Sequence, residues 1–226
     1  MCGRFTFRKL SPAVMAGFGV AETAREPRLS FNVAPGQAVA VVVQEGDNRK
    51  LDTYRWGLVP AWAKDPSLGY KMINARGETV AEKPAFREAF LKRRCLILAD
   101  GFYEWSQGAK SKTPYCFTLA DEEVFAFAGL WERWKAPDGT ELRTCAIVTV
   151  GANDLMRPYH HRMPVILNPR HYSRWLDPEF HDKAFLLALL QPYPGNGMRV
   201  RSVSTLVNSP KNDGPQCVLP LEPEPE

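Results

Sequence analysis

Short runs of β-branched and aromatic apolar residues recur along the chain, separated by segments rich in proline, glycine and charged side chains. Runs of this length bounded by turn formers are typical of β-strands. The pattern predicts strands at residues 39–43, 51–56, 95–99, 115–119, 124–130, 144–150 and 200–203. Asp138-Gly139 separates the sixth run from the fifth and predicts a hairpin turn there.

Three proline-containing pairs mark the expected starts of short helices. Ser11-Pro12, Lys83-Pro84 and Asn168-Pro169 each place proline at the first helical position, where its missing N–H costs nothing. Strands in successive runs with irregularly placed helices favour an α+β domain over regular βαβ alternation. The 19 prolines and 16 glycines imply many turns between short strands. We therefore expect one α+β domain of curved, barrel-like mixed β-sheets flanked by short helices.

Composition narrows the class of protein. Of 226 residues 45% are apolar, which suffices for a packed core. The 29 Lys and Arg against 25 Asp and Glu permit an anionic partner without requiring one. No run approaches 18 apolar residues and no secretory leader pattern is present, so we expect a cytoplasmic protein that does not enter a membrane. We also expect a monomer, associated with the nucleoid if the protein is bacterial.

The cysteines favour core packing over metal binding. The five cysteines form no CxxC pair and have no metal-like spacing with the four histidines, so we expect neither a metal site nor a cofactor. Cys95, Cys116 and Cys145 lie inside apolar runs, where a free cysteine behaves as a small buried hydrophobe. Residues 219–226 are acidic, lack core-forming side chains and are expected to be a disordered tail after a domain of residues 1–218.

The chain start carries the most specific chemistry. If Met1 is removed, Cys2 becomes the N-terminus and presents an α-amine and a thiol on adjacent carbons. Their usual pKa values, about 8 and about 8.5, make both reactive forms accessible near neutral pH. An aldehyde would be attacked by the amine and then by the sulfur, closing a thiazolidine ring, and this requires an exposed aminothiol. The alternative is that Cys2 has no role beyond its place at the start of translation.

Two loop-rich segments combine aromatic, amide and cationic side chains. Trp62 and Arg76 suit a nucleic-acid surface, because indole faces stack on unpaired bases and guanidinium groups hold phosphates. Trp56 is expected in the core instead, and Arg76 has the alternative of pairing with Glu78 or another acid. Asn74 has the hydrogen-bonding groups to orient a reacting centre, but an asparagine before a turn is common. The loop from Asn32 through Pro35 to Gly36 has the composition of a simple turn.

Three further polar segments suggest proton transfer and ligand binding. Glu104 lies between Tyr103 and Trp105, where a partly dehydrated pocket would raise its pKa toward neutrality and make it a general acid or base. Its alternative is an exposed strand-end residue paired with a lysine. His160 and His161 precede Arg162, and one histidine is expected to be functional with Arg162 as a phosphate clamp. The loop at 207–214 fits backbone contacts to a ligand or an ordinary turn.

Together these segments resemble the SRAP family, the SOS-response-associated peptidases or abasic-site-processing proteins. The matching blocks, in the family's order, are Met1-Cys2-Gly3-Arg4-Phe5, Asn32-Val33-Ala34-Pro35, Trp56-Gly57-Leu58-Val59-Pro60, Ile73-Asn74-Ala75-Arg76 with Glu78-Thr79, Asp100-Gly101-Phe102-Tyr103-Glu104-Trp105, and His160 with Arg162-Met163-Pro164. They extend over nearly the whole chain. The resemblance implies the SRAP fold, with sheets that curl around a groove for single-stranded DNA.

The resemblance also implies a reaction and a set of site residues. Cys2 would capture the ring-opened aldehyde of an abasic site as a thiazolidine DNA–protein crosslink that shields the lesion, with an AP-lyase reaction as a side activity. The implied catalytic residues are Cys2, Asn74, Glu104 and His160. The implied DNA-binding residues are Arg4, Asn32, Pro35, Trp62, Arg76, Trp105 and Arg162.

Two competing functions share parts of this residue set. Cys2, His160 and Asn74 resemble a thiol peptidase set that would cleave an amide, including the Met1-Cys2 bond itself. A non-enzymatic single-strand-binding module would make Cys2 dispensable and its binding strongly dependent on salt. A DNA groove accounts for the dispersed arginines and tryptophans, which a peptidase does not need.

Overall fold

The computed structural model describes residues 2–106, 113–121 and 123–221, and within these ranges it contains thirteen β-strands and four α-helices. The strands are β1 (Phe5–Phe7), β2 (Val20–Thr23), β3 (Ser30–Val33), β4 (Ala38–Glu45), β5 (Asn48–Trp56), β6 (Asn74–Arg76), β7 (Arg94–Ala99), β8 (Gly101–Trp105), β9 (Pro114–Leu119), β10 (Phe125–Lys135), β11 (Glu141–Gly151), β12 (Arg162–Pro164) and β13 (Met198–Ser202). The helices are α1 (Pro12–Gly17), α2 (Arg87–Lys92), α3 (Tyr172–Leu176) and α4 (Lys183–Ala188).

Five strands close into a barrel. β5, β4, β7, β10 and β11 follow one another through antiparallel pairs, and β11 returns to β5 through a short parallel pairing of Thr144 with Arg55 and Cys145 with Trp56. Closure removes free strand edges from this part of the molecule. β6 and β12 pair with β11, so both lie beside the end of one barrel strand.

The second sheet packs β1, near the start of the chain, against the barrel. Its strand order is β13-β9-β8-β1-β3, so β1 lies between β8 and β3. The Phe5 ring lies 5.1 Å from that of Trp56 and 5.8 Å from that of Phe127, both on barrel strands. Full burial of a side chain of this size contributes roughly 1.5–3 kcal/mol. The hydrophobic core therefore holds the first strand, and the residues just before it, in place.

The structure confirms the expected class: a single α+β domain with a mixed barrel and short helices. All seven predicted strands are present, and the Asp138-Gly139 hairpin joins β10 to β11 with Gly139 at a φ of 85°. Six strands of three to five residues were not predicted (β1, β2, β3, β6, β8 and β12), because so few residues carry little periodicity.

The helix starts are confirmed less uniformly. Ser11 caps α1 by accepting a hydrogen bond from the Val14 amide. The helix expected at Lys83-Pro84 begins later, at Arg87. Asn168-Pro169 opens a single 3₁₀ turn that leads into α3. Of the predicted acidic tail, residues 222–226 lie outside the described residues, and the boundary at residue 218 stays a prediction.

Candidate active site

Cys2 is held between the two sheets rather than on the surface. Its side chain is 0% exposed and belongs to the main core. The expectation of an exposed aminothiol is therefore wrong for the thiol, because β1 enters the sheet between β8 and β3 and draws the preceding residues inward. Burial raises the pKa of the thiol well above its usual value, and the nearby Glu104 carboxylate raises it further.

Glu104 lies on β8, the strand next to β1. Side chains alternate along a strand, so Glu104 shares a face with Phe102, which packs in the same core as Cys2. Glu104 is only 6% exposed, and burial raises its pKa to about 7. The expected dehydrated carboxylate is confirmed, and the alternative of an exposed glutamate paired with lysine is wrong. A carboxyl group of this pKa can take up or release a proton at neutral pH.

Asn74 contacts the residue at the chain start directly. Its Nδ2 donates a hydrogen bond of 2.8 Å to the Cys2 carbonyl oxygen, and its buried Oδ1 has no hydrogen-bond partner among the described residues. Asn74 lies on β6, which a turn at residues 77–80 follows directly, and Arg76 shares its face of the strand while Ala75 is buried on the other. Arg76 is exposed on the side from which Asn74 reaches Cys2.

His160 precedes β12 and has a defined ring orientation. The Arg162 amide donates to His160 Nδ1 at 2.9 Å, and the Arg162 carbonyl oxygen lies 3.2 Å from the same nitrogen; the amide contact is the shorter and favours the tautomer with the proton on Nε2. Burial lowers the pKa of His160, which favours this neutral form. The His161 ring stacks on it with centroids 4.4 Å apart.

Arg162 is already paired with an acid. Its Nη1 and Nη2 donate to the two carboxylate oxygens of Glu78, and Nη2 also donates to the Thr149 carbonyl. Arg162 holds the Glu78 carboxylate in a bidentate geometry, and the described residues show no direct pair between Arg76 and Glu78, although the Arg76 charge helps to lower the pKa of Glu78. Thr149 lies on β11 between Arg76 on β6 and Pro164 on β12. The end of β11 thus brings β6, which carries Arg76, close to β12, which carries Arg162.

Arg4 and Trp105 form a second cluster, on the face of β1 and β8 away from the main core. Arg4 Nη1 donates to Asn32 Oδ1 at 2.7 Å and to the Val207 carbonyl at 2.8 Å. Its guanidinium carbon lies 5.9 Å from the centroid of the Trp105 ring. Trp105 Nε1 donates to Asn208 Oδ1 at 2.6 Å. The loop at 207–214 therefore supports this cluster.

Asn32 links the same loop to Arg4. Its side chain is 1% exposed, and its Nδ2 donates to the carbonyl oxygens of Val207, Ser209 and Asn212. An amide engaged in this way orients Arg4 from within the protein. The sequence pointed to this loop, but only the structure shows which side chains it contacts.

Trp62 lies in the segment 57–73, which leaves the barrel after β5, and Pro35 lies next to Gly36, which is close to Tyr70 of this segment. Trp62 is 62% exposed, whereas Trp56 is 0% exposed, as expected for a core residue. Pro35 is half-buried in the turn between β3 and β4. The sequence did not single out Tyr70 of this segment or Thr149. Tyr70 is an isolated aromatic in a polar stretch, and Thr149 acts mainly through its backbone, so neither had a sequence signal.

The expected burial of Cys95, Cys116 and Cys145 is confirmed, since each is at most 1% exposed. Across residues 2–106, 113–121 and 123–221, no cluster of three or more His, Cys, Asp or Glu side chains could hold a metal ion. No helix formed by those residues has the length and apolarity needed to span a bilayer.

Comparison with known proteins gives consistent matches over most of the chain. The model of the SOS response associated peptidase (SRAP) family matches residues 1–210. Abasic site processing protein YoqW of Bacillus subtilis (strain 168) is 45% identical over 221 residues, which cover 96% of this chain and 99% of YoqW. Abasic site processing protein HMCES of Gallus gallus is 36% identical over 227 residues, which cover 86% of this chain and 67% of HMCES.

A crystal structure of a protein from Bacteroides thetaiotaomicron superposes with a TM-score of 0.84. It is 27% identical, and the match covers 96% of this chain and 98% of that one. The arrangement of barrel and second sheet is therefore shared with a solved structure over nearly its full length.

Proposed function

Because this chain belongs to the SOS response associated peptidase (SRAP) family, we propose that it processes abasic sites in single-stranded DNA by forming a thiazolidine crosslink through Cys2 once Met1 has been removed. The observation that supports this most is the placement of Glu104, a buried carboxyl with a pKa of about 7, beside the buried thiol of residue 2. We further propose that the protein acts in the cytoplasm as a monomer and that residues 1–218 form its domain.

The first covalent step belongs to the α-amine. Its nitrogen attacks the C1′ aldehyde of the opened sugar, and the carbinolamine then loses one water to give an imine. The thiol sulfur attacks the imine carbon and closes a five-membered ring. The thiol proton must leave and the imine nitrogen must gain one, so the ring-closing step is a net proton transfer from sulfur to nitrogen.

Glu104 is the group suited to carry that proton. Burial and the Glu104 carboxylate both raise the pKa of the Cys2 thiol, so at neutral pH the sulfur holds its proton until a base removes it. A carboxyl with a pKa of about 7 is divided between its two protonation states at that pH. It can therefore accept the thiol proton as the sulfur attacks the imine carbon and donate a proton to the nitrogen in the same ring closure.

His160 is assigned the opening of the sugar. An abasic sugar is mostly a closed hemiacetal, and opening it breaks the C1′–O4′ bond: the ring oxygen gains a proton, and the anomeric hydroxyl loses one to solvent as the aldehyde forms. With Nδ1 accepting the Arg162 amide hydrogen, the neutral imidazole presents its Nε2 proton as the donor. Asn74 would hold the opened sugar, because its buried Oδ1 can accept a hydrogen bond from a sugar hydroxyl while Nδ2 stays on the Cys2 carbonyl.

The proposed DNA contacts divide into those that touch the strand and those that orient others. Arg76 is exposed, and among the described residues Arg4 donates through Nη1 alone, so both can meet a phosphate. Arg162 would contact a phosphate either by leaving the Glu78 carboxylate or by keeping one of its two hydrogen bonds to it. Asn32 acts as a positioning residue for Arg4. The residues assigned to contacts with bases or backbone are Trp62, Trp105 and Pro35.

The thiol-peptidase alternative is less well supported. A nucleophilic cysteine needs a lowered pKa, whereas burial raises that of Cys2. Asn74 donates to the carbonyl of Cys2, which lies after the Met1-Cys2 bond, so it does not serve as an oxyanion donor for cleavage of that bond. An AP-lyase side reaction follows from the imine, which acidifies the neighbouring sugar carbon; ring closure by sulfur competes with it.

The test uses single-stranded DNA with one uracil-derived abasic site, analysed on denaturing gels with and without borohydride. Wild-type protein should give a stable band without reductant, with a mass equal to protein lacking Met1 plus DNA minus one water. Cys2→Ala should give no stable band, because it retains the amine but lacks the sulfur. It should still give a borohydride-trapped band and more strand cleavage, since its imine cannot close.

Cys145→Ala is the matched control, because Cys145 is a fully buried cysteine on β11 with no assigned role. It should crosslink as the wild type does. A covalent band from Cys2→Ala in the absence of borohydride would refute the proposal. Binding without any covalent product from the wild type would favour the single-strand-binding module, and cleavage of a labelled peptide would favour the peptidase.

A further inference from the structure

Tyr70 is an exposed aromatic residue that the proposed reaction does not use. It lies in the 3₁₀ helix Pro66–Lys71 and is 62% exposed, as much as Trp62 in the same excursion from the barrel. A tyrosine ring gains free energy from burial, so a ring that is largely open to solvent is available to a ligand.

The segment 57–73, which carries Tyr70, packs closely against the barrel. A Cβ added to Gly57 would lie 2.7 Å from the Gly69 carbonyl oxygen, so the two backbones meet at a distance that only glycine allows. The Leu58 amide donates to the Met72 carbonyl, and Trp134 Nε1 donates to the Ala63 carbonyl at 2.7 Å. The exposure of Tyr70 is therefore set by a fixed backbone.

Arg55 stands over the Tyr70 ring. Its guanidinium carbon is 4.9 Å from the ring centroid, which is the geometry of a cation–π contact. Among the described residues no acid lies within ion-pairing distance of Arg55, whereas the nearby Asp65 carboxylate accepts from Ser67 at the start of the 3₁₀ helix. A planar cation beside an open aromatic ring, with no ion pair among the described residues, suits a base and its phosphate.

Tyr70 is continuous with the proposed DNA surface. A Cβ on Gly36 would lie 3.1 Å from the Tyr70 ring, and Gly36 follows Pro35 directly. Tyr70 is also four residues before Asn74, which bonds the Cys2 carbonyl. Four residues span at most about 14 Å. At a spacing of about 3.4 Å per nucleotide, that distance corresponds to four nucleotides or fewer from the lesion.

We propose that Tyr70 and Arg55 form a subsite for a nucleotide flanking the abasic site, in which the Tyr70 ring stacks on the base and Arg55 holds the adjacent phosphate. The exposed Lys71 adds positive charge beside it. This inference rests on single-stranded DNA being the substrate, but it does not depend on the covalent chemistry. Tyr70 and Arg55 would then contribute part of the affinity for the undamaged nucleotides on either side of the lesion.

Binding of an undamaged, dye-labelled single strand, measured by anisotropy, tests the stacking role. Tyr70→Ala should weaken binding about 5- to 150-fold, the range for loss of one base–aromatic stack. Tyr70→Phe keeps the ring and should bind as the wild type does. Phe185→Ala is the matched control, since Phe185 is an aromatic residue on α4 that is 37% exposed. Equal affinities of Tyr70→Ala and wild type would overturn the inference.

Salt dependence separates the roles of the two residues. Arg55→Gln should lower the slope of log K against log salt by about 0.7, as expected for one phosphate contact on a single strand. Tyr70→Ala should weaken binding while leaving the slope unchanged. An unchanged slope for Arg55→Gln would remove the phosphate contact from the subsite.

A fluorescent base locates the subsite. With 2-aminopurine placed in turn at each of about four positions on either side of the abasic analogue, one position should be quenched by Tyr70→Phe and wild type but not by Tyr70→Ala. No such position would overturn the inference. Because these strands need no crosslink, a wild type that crosslinks with no Tyr70 effect defeats only the subsite. A wild type that shows the Tyr70 effect without crosslinking defeats only the proposed chemistry.

Discussion

Replacing Glu104 with glutamine is expected to stabilise the folded protein at alkaline pH and to leave its stability almost unchanged at acid pH. Glu104 is buried and its pKa rises from 4.5 to about 7, mainly because burial disfavours the charged carboxylate. Glutamine has nearly the same shape and never ionises. The variant therefore removes the energetic cost of a buried charge.

The size and sign follow from proton linkage. Because the folded state binds this proton more tightly than the unfolded state does, its contribution to stability is fully present below pH 4.5 and is lost as pH rises through about 7. Each pH unit between these values is worth about 1.4 kcal/mol, so the wild type loses about 3 kcal/mol by pH 8. Glu104→Gln should not show this loss.

Urea unfolding of both proteins at several pH values between 4 and 8.5 measures the difference. The free energy of unfolding of Glu104→Gln should exceed that of the wild type by about 3 kcal/mol at pH 8 and by almost nothing at pH 4. Glu82→Gln, an exposed glutamate, is the matched control and should show no such divergence. A difference that stays constant across this range would refute the assignment of a near-neutral pKa to Glu104.

Three further outcomes are expected. Trp62→Ala should leave the thermal midpoint unchanged, because the ring is 62% exposed, and should weaken single-strand binding about 5- to 150-fold; unchanged affinity would remove Trp62 from the DNA surface. Gly57→Ala should lower stability by about 2 kcal/mol or more in calorimetry, because its φ is 129° and the new Cβ meets the Gly69 carbonyl; an unaltered melting temperature would contradict this close approach. His160→Gln should slow crosslinking about 10²- to 10⁴-fold in gel time courses, while a simple aldehyde with no ring to open should react with Cys2 at the wild-type rate; equal slowing of both would place His160 in a later step.

Much of the fold could be predicted because long strands leave a clear local pattern. The runs around Val41, Ile97 and Ile147 became β4, β7 and β11, and each is buried within the barrel. Strands of three residues such as β1 and β6 could not be found in this way, because they are formed by their partners rather than by their own residues. Those two short strands carry or position Cys2 and Asn74.

The candidate site was only partly accessible to sequence reasoning. The residue types at Cys2, Asn74, Glu104 and His160 suggested a carbonyl-trapping reaction, and that assignment stays a proposal. The local sequence did not indicate that the Cys2 thiol is buried. Nor did it show that Arg162 is paired, because its partner Glu78 is 84 residues away along the chain.

The sequence by itself determined seven of the strand segments, the core cysteines and the set of side chains able to perform the chemistry, because these depend on residue type and short-range spacing. Tertiary structure alone decided how those side chains are used. Arg4 meets Asn32 and Val207, which are 28 and 203 residues distant, and Glu104 acquires its pKa of about 7 only when the two sheets exclude water around it. Contacts and dehydration of this kind arise where the second sheet brings distant chain segments together and packs against the barrel, which no local pattern specifies.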